Sequence, residues 1–333
     1  MRFADHRDFS ELVNLTADAR ALLPALVEKD YWVTRVLEAI APCEAATHCV
    51  VFKGGTSLSK AWNVIRRFSE DVDLLITGPN FGEPPTSDGV RKRVFQSLHQ
   101  KITDMTGMVL PEKSTLGSRE EREWYRRRSQ YYMNVRYPVP GRPHQALGPA
   151  EDVVLVELGY RGGTHPHVQR TVRSMCAEYL DEVRGSALDA FAECEADLAP
   201  LSLEVLHPHR TLVEKILALS AGAVGNIPLR PRHYYDVVMV FESVPEAKDF
   251  VASEDFTKLV REAAELSNAY YGGNFDVTRL GLKTCSAFAP TADQRREFAA
   301  LHQSERQMYF GDSQPSFDDL LARLEPLRDL LPD

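Results

Sequence analysis

The sequence predicts an α+β protein of two lobes, an N-terminal mixed sheet with flanking helices followed by a C-terminal, mainly helical lobe. Three observations predict it. Apolar runs of strand length recur between Cys49 and Tyr160, separated by turn residues. From about His207 onward the strand pattern stops, and five segments with apolar residues at helical spacing follow one another. The chain of 333 residues, 44% apolar and 26% charged, has the size and makeup of a globular protein with one large domain or two ordinary ones. The boundary is placed near Ala199 to His207, giving parts 1–200 and 201–333. No Gly/Ser linker, low-complexity tract or internal repeat marks it.

The elements follow in order. "LPALVEKDYWVTRVLEAIAP" carries apolar residues at helical spacing, with Pro24 near its start and Pro42 after its end, and reads as an amphipathic helix whose aromatic stripe is core. "CVVFK" reads as a short buried strand, "GGT" as a turn, "SLSKAWNVI" as the beginning of a helix and "DVDLLIT" as a second strand. The segment 88–106 has helical periodicity. "YYMNVRYPV" alternates as a half-buried strand does, whereas "DVVLVELGY" is almost continuously apolar, as a central strand would be. The helical part comprises "PHRTLVEKILALSAGA", "RHYYDVVMVFESV", "DFTKLVREAAELSNAYY", "TADQRREFAALHQSE" and "SFDDLLARLEPLRDLL", with Ser316 and Asp319 at capping-box spacing before the last.

Composition narrows the function. A formal net charge of −9 excludes a general nucleic-acid coat, because sequence-independent affinity for a phosphate backbone comes from lysine and arginine. Any nucleic acid must be gripped locally. Between Ser118 and Arg136, arginines that include Arg126, Arg127 and Arg128 are interleaved with Trp124, Tyr125, Tyr131 and Tyr132, which offers phosphate pairing and base stacking together. The same stretch also reads as a solvated helix end running into a half-buried strand, with Glu120, Glu121 and Glu123 neutralising part of its charge. Five cysteines without a CxxC pair argue against a disulfide framework and a thiolate zinc site, and read as buried or incidental thiols. Neither a long apolar run nor a signal-peptide pattern is present, so no membrane association and a cytoplasmic location are expected.

The chemistry concentrates in "VFKGGTSLSKAWNVIRRFSEDVDLLI". Aspartate is depleted in strands, and a buried carboxylate is costly unless it is paired or binds a metal. Residues at i and i+2 share one face of a strand, so Asp71 and Asp73 can share a divalent cation while Val72 and Leu74 face the core. The Gly54-Gly55 turn lets backbone N–H groups approach a phosphate. Together the two halves describe a site for a metal-bound polyphosphate, and the spacing is not that of a P-loop.

These residues resemble the hG[GS]…DhD signature of the polymerase-β-like nucleotidyltransferase superfamily, in the version carried by the AbiEii/AbiGii and MenT-type toxins. "VEKDYWVTRVL", "HPHRTLVEKILAL…RHYYDV" and "QMYFGDSQPSFDDLLARL" also look like blocks of that family, in the same order. The resemblance implies a nucleotidyltransferase-fold sheet and transfer of a nucleoside monophosphate from an NTP. It implies nucleotide binding by Lys53, Gly54, Gly55, Thr56, Ser57 and Lys60, with Ser69 beside the nucleotide as a phosphate contact, a regulatory phosphorylation site or a plain turn residue. Asp71 and Asp73 would ligate Mg²⁺ or Mn²⁺, and Glu157 occupies the place of the superfamily's third carboxylate, its alternative being an edge-strand glutamate facing water. Lys215 and Asp236 match a lysine and an aspartate of the helical lobe, the lysine to pair with triphosphate oxygens and the aspartate to orient that lysine or assist the attacking hydroxyl; read without the resemblance they form an interhelical salt bridge. The family points to tRNA, at its 3′ end, as the acceptor held by Arg126 to Arg128, to a block of translation, and to a cognate antitoxin as partner. Two other readings stand beside it: a regulatory module that binds NTP without turnover, and a nucleotidyltransferase that modifies a protein.

Overall fold

The computed structural model describes residues 1–41, 48–69, 71–107, 124–127, 130–138, 152–160, 162–183, 190–225, 227–271, 281–311 and 314–332. The chain divides into two compact units. One comprises Met1–Thr56, Phe68–Tyr160 and Gln169–Val205, the other Ser57–Arg67, Arg161–Val168 and Leu206–Asp333. The second unit therefore takes two short segments from the N-terminal part, which a single linear boundary does not represent.

The described strands form one seven-stranded mixed sheet. They are β1 (Cys49–Lys53), β2 (Asp71–Thr77), β3 (Trp124–Arg127), β4 (Gln130–Arg136), β5 (Val153–Gly159), β6 (His167–Val172) and β7 (Leu201–Leu206), in the order β3-β4-β5-β2-β1-β7-β6. β1 and β2 are antiparallel, β2 and β5 parallel, and β3, β4 and β5 run antiparallel in succession. Val72, Leu74, Val156 and Leu158 are all buried, as the apolar runs require. β3 is an addition to the sequence reading: residues 124–127 are strand, not the end of a helix, and pair with β4. β6 is missed for a physical reason, since most of "HVQRTV" is exposed and lacks an apolar face.

Helices α1 (Phe9–Arg20), α2 (Pro24–Ile40), α3 (Gly54–Lys60), α4 (Asp88–Thr106), α5 (Met175–Val183) and α6 (Glu195–Leu198) accompany the sheet in sequence. Pro24 opens α2, where its missing N–H costs nothing. α2 packs against α1, α4, α5 and β5, which buries nearly its whole circumference, charged residues included. Two of its charged residues are paired: Asp30 accepts the Met175 N–H at the start of α5 at 2.7 Å, and Arg35 pairs with Glu38 and, at 2.8 Å, with Asp197. α3 corrects the sequence reading. The glycines are not a turn ahead of the helix but its first two residues, and the helix stops at Lys60 instead of running to Ile65.

In the second unit, α7 (Pro208–Ala223) packs on α8 (Arg232–Ser243), joined by α9 (Ala247–Val251), α10 (Glu254–Tyr271), α11 (Ala292–Ser304) and α12 (Phe317–Leu330). Tyr234, Phe256, Phe298, Phe317 and Leu320 form its core. The Ser316 side chain caps α12 by accepting the Asp319 N–H at 3.1 Å, as its spacing predicts. Cys176, Cys194 and Cys285 are free thiols, but Cys49 is disulfide-bonded, which corrects the reading of all five as thiols. A single bridge leaves no spacing pattern in the sequence.

Candidate active site

Strand register gathers the acidic residues in the first unit. Asp71 pairs with Leu155 and Asp73 with Glu157 across β2 and β5, while Lys53 of β1 pairs with Asp73 from the other side. Directly paired residues share a face, so Lys53, Asp73 and Glu157 form one row across three strands spaced about 4.8 Å apart, with Asp71 one step of about 6.6 Å along β2. All four are half-buried, whereas the same face closes over at Leu75 and Thr77. Glu157 lies on an interior strand between β4 and β2, so the edge-strand alternative does not apply to it. Tyr132 continues the row on β4.

The first residues of α3 meet this row. Gly54 has φ +78°, a left-handed conformation that side chains rarely adopt, and a Cβ on it would fall 1.9 Å from the Asp73 Oδ2. Absence of a side chain at position 54 is therefore what lets the backbone lie against the Asp73 carboxylate. Gly54→Ala is expected to displace that carboxylate by roughly 1 Å and lower any turnover that depends on it about hundredfold; steady-state rates of the folded variant check it. The Thr56 hydroxyl donates to the carbonyl oxygens of Ser69, at 3.3 Å, and of Asp71. Thr56 thus ties α3 to the start of β2. Ser57 is fully buried, Lys60 and Ser69 are half-buried, and Gly55 is buried.

Among the described residues no three histidine, cysteine or acidic side chains are gathered closely enough to hold a metal ion on their own. Two carboxylates beside the backbone that opens α3 fit a different case, a hard cation that takes one or two protein oxygens and the rest from substrate phosphates and water. Of the basic stretch, β3 sets Arg126 opposite Tyr131 and Arg127 opposite Gln130. Arg128 and the side chains of residues 124–127 lie outside the described residues.

The second unit holds Lys215 on α7 and Asp236 on α8, and with them a residue that sequence reasoning missed. Asp236 is completely buried; Arg67 closes a two-pronged contact on it, Nε to Oδ1 at 2.7 Å and Nη2 to Oδ2 at 2.6 Å, and the Lys215 Nζ reaches Oδ2 at 2.6 Å. Burial alone pushes the Asp236 carboxyl up, but the charges of Arg67 and Lys215 outweigh it and hold the group well below the ordinary carboxylate range. Burial lowers the Lys215 ammonium, with Asp236 opposing and Arg67 reinforcing the shift. Both neighbouring charges thus favour the ionised form of Asp236. Nothing local in "IRRFS" distinguishes buried Arg67 from exposed Arg66; only the tertiary partner does.

The model of the family described as nucleotidyl transferase AbiEii toxin, type IV toxin–antitoxin system, matches residues 35–323. The chain belongs to this family of nucleotidyltransferase toxins. No curated protein matches it. Among solved structures it is similar to MenT4, a nucleotidyltransferase toxin from Mycobacterium tuberculosis H37Rv, at 16% identity over 97% of this chain and 99% of that one, with a TM-score of 0.44. A likeness of that degree carries nothing about the site.

Proposed function

We propose that this toxin transfers a nucleoside monophosphate from an NTP to the 3′ end of tRNA, with Mg²⁺ or Mn²⁺ as cofactor. The observation that carries the reading is the seating of the Gly54 backbone against Asp73, within a row of half-buried carboxylates. The N–H groups that follow Gly54 would receive the β- and γ-phosphates, with Lys53 beside them. Asp71 and Asp73 would hold the cation, which supplies neutralisation of phosphate charge. The acceptor hydroxyl oxygen bonds to the α-phosphorus, the bond to the β-phosphate oxygen breaks, and pyrophosphate leaves. Glu157, one strand from Asp73, would take up the hydroxyl proton. Lys215 would pair with triphosphate oxygens, oriented by Asp236.

Consumption of the tRNA terminal hydroxyl would stop that tRNA from carrying an amino acid and so would block translation. A type IV system implies a cognate antitoxin. Among the described residues no helix is long and apolar enough to cross a membrane.

Incubation of the purified protein with each α-labelled NTP, Mg²⁺ and total tRNA tests the proposal. Label in tRNA supports it, label in protein shifts the acceptor, and bound NTP without transferred label turns the chain into a regulatory module. The basic stretch has its own test. Joint replacement of Arg126, Arg127 and Arg128 by alanine should leave NTP affinity unchanged, weaken tRNA binding and reduce the slope of log K against log salt by up to about 3, roughly one for each phosphate no longer paired with an arginine. An unchanged slope returns the stretch to a solvated surface.

A further inference from the structure

Side chains along a strand alternate between two faces of its sheet, and in β4 and β5 the faces differ in burial. On β4, Tyr131, Met133 and Val135 are buried on one face, whereas Tyr132 on the other is half-buried. On β5, Val154, Val156 and Leu158 are buried, and Leu155 and Glu157 are half-buried. The register joins half-buried positions of four successive strands into one row, Lys53, Asp73, Glu157 and Tyr132.

The same alternation separates two aromatics that the sequence sets side by side. Tyr131 belongs to the core, its ring stacked on Phe95 of α4 with centroids 4.9 Å apart and planes at 19°. Tyr132 lies on the carboxylate face. Directly paired residues hold their Cβ atoms about 4.5–5.5 Å apart, so Tyr132 stands beside Glu157 and, two strands on, about 10 Å from Asp73. Among the described strand residues of β1, β2, β4 and β5 it is the one aromatic on that face. The order of the row has chemical content. In the proposed reaction the triphosphate lies at the Lys53 and Gly54 end, the cation at Asp73, and Glu157 takes the hydroxyl proton. In-line displacement sets the leaving pyrophosphate and the attacking hydroxyl on opposite sides of the phosphorus. The nucleotide that carries the hydroxyl therefore lies beyond Glu157, where Tyr132 stands.

We infer that Tyr132 is the stacking residue for the terminal base of an RNA acceptor and, by carrying that base, holds the terminal hydroxyl toward Glu157 and Asp73. The inference rests on the proposed reaction, with its triphosphate at Lys53 and Gly54. A base at an RNA end can be splayed out and stacked on an aromatic side chain, and because every base has a π-face the contact reads no sequence.

Fluorescence of a short uridine-rich RNA whose 3′-terminal base is 2-aminopurine, titrated with the full chain, tests it, because stacking on an aromatic ring quenches that base. Quenching should accompany binding. Tyr132→Phe keeps a ring and should keep both the quenching and, within about twofold, the affinity. Tyr132→Leu keeps an apolar side chain without a ring; it should abolish the quenching and weaken RNA binding about five- to hundredfold while NTP affinity stays unchanged. Absence of quenching in the unaltered protein would overturn the inference, as would a folded Tyr132→Leu protein that still quenches or that loses affinity for NTP instead of RNA. Photocrosslinking of the unaltered protein to an RNA ending in 5-iodouridine, mapped by mass spectrometry, is readable even if neither variant folds. The crosslink should fall on Tyr132, and a crosslink confined to other residues would overturn the inference. Quenching that depends on Tyr132 in a protein that transfers no nucleotide would leave this inference standing and remove the proposed reaction. Transfer to tRNA by Tyr132→Leu with an unchanged KM for tRNA would keep the reaction and remove the inference.

Discussion

Asp71→Asn and Asp73→Asn will each lower nucleotidyl transfer by roughly a thousandfold while the protein stays folded. An amide presents one neutral oxygen where a divalent cation needs a charged one, and the cation's share in stabilising phosphoryl transfer is several kcal/mol, with about 1.4 kcal/mol for each factor of ten. Stability should move by no more than about 1 kcal/mol, because both side chains are half-buried and each substitution removes one of two like charges on a single strand face. Rates with labelled NTP, set beside urea denaturation of the same preparations, separate the two effects. A doubly substituted protein working at the wild-type rate in Mg²⁺ refutes the assignment.

Asp236→Asn will have the opposite signature, a loss of about 3–5 kcal/mol of stability, since it removes the buried carboxylate that Arg67 and Lys215 share. Lys215→Met leaves a balanced Arg67–Asp236 pair and keeps the length of the side chain, so it should impair NTP binding with little thermal cost. Acid dependence carries the same information. The folded-state carboxyl of Asp236 lies below its unfolded value, so its contribution is complete above about pH 4 and is lost as pH falls below that toward the folded value. Acid denaturation of the wild type should show this component, and Asp236→Asn should lack it. If Asp236→Asn melts like the wild type, the buried cluster is not what holds this part of the chain.

Much of the fold was legible because periodicity and local chemistry agree. The strands "CVVFK" and "DVDLLIT", and the helix "PHRTLVEKILALSAGA", end where their apolar patterns end. Where tertiary partners decide, the sequence is silent. α3 starts at Gly54 because the backbone there lies against Asp73, a contact no spacing rule contains. β3 and β6 are strands by pairing and not by apolar pattern. The same division runs through the candidate site residues. The i and i+2 aspartates announce a shared face, and the structure adds only that Lys53 and Glu157 stand in the same row. Arg67 could not be chosen over Arg66 without seeing Asp236, and Thr56, read as a phosphate contact, donates its hydroxyl to the Ser69 and Asp71 carbonyls.

Binding of Mn²⁺ followed by electron paramagnetic resonance, with and without a non-transferable NTP analogue, decides whether Asp71 and Asp73 hold a metal–nucleotide complex. Because two carboxylates need phosphate oxygens to complete a coordination shell, Mn²⁺ should bind tightly only when the analogue is present, and Asp71→Asn/Asp73→Asn should abolish that binding. Equal Mn²⁺ binding with and without the analogue, or binding unchanged in the doubly substituted protein, would contradict a metal–nucleotide site at this strand face.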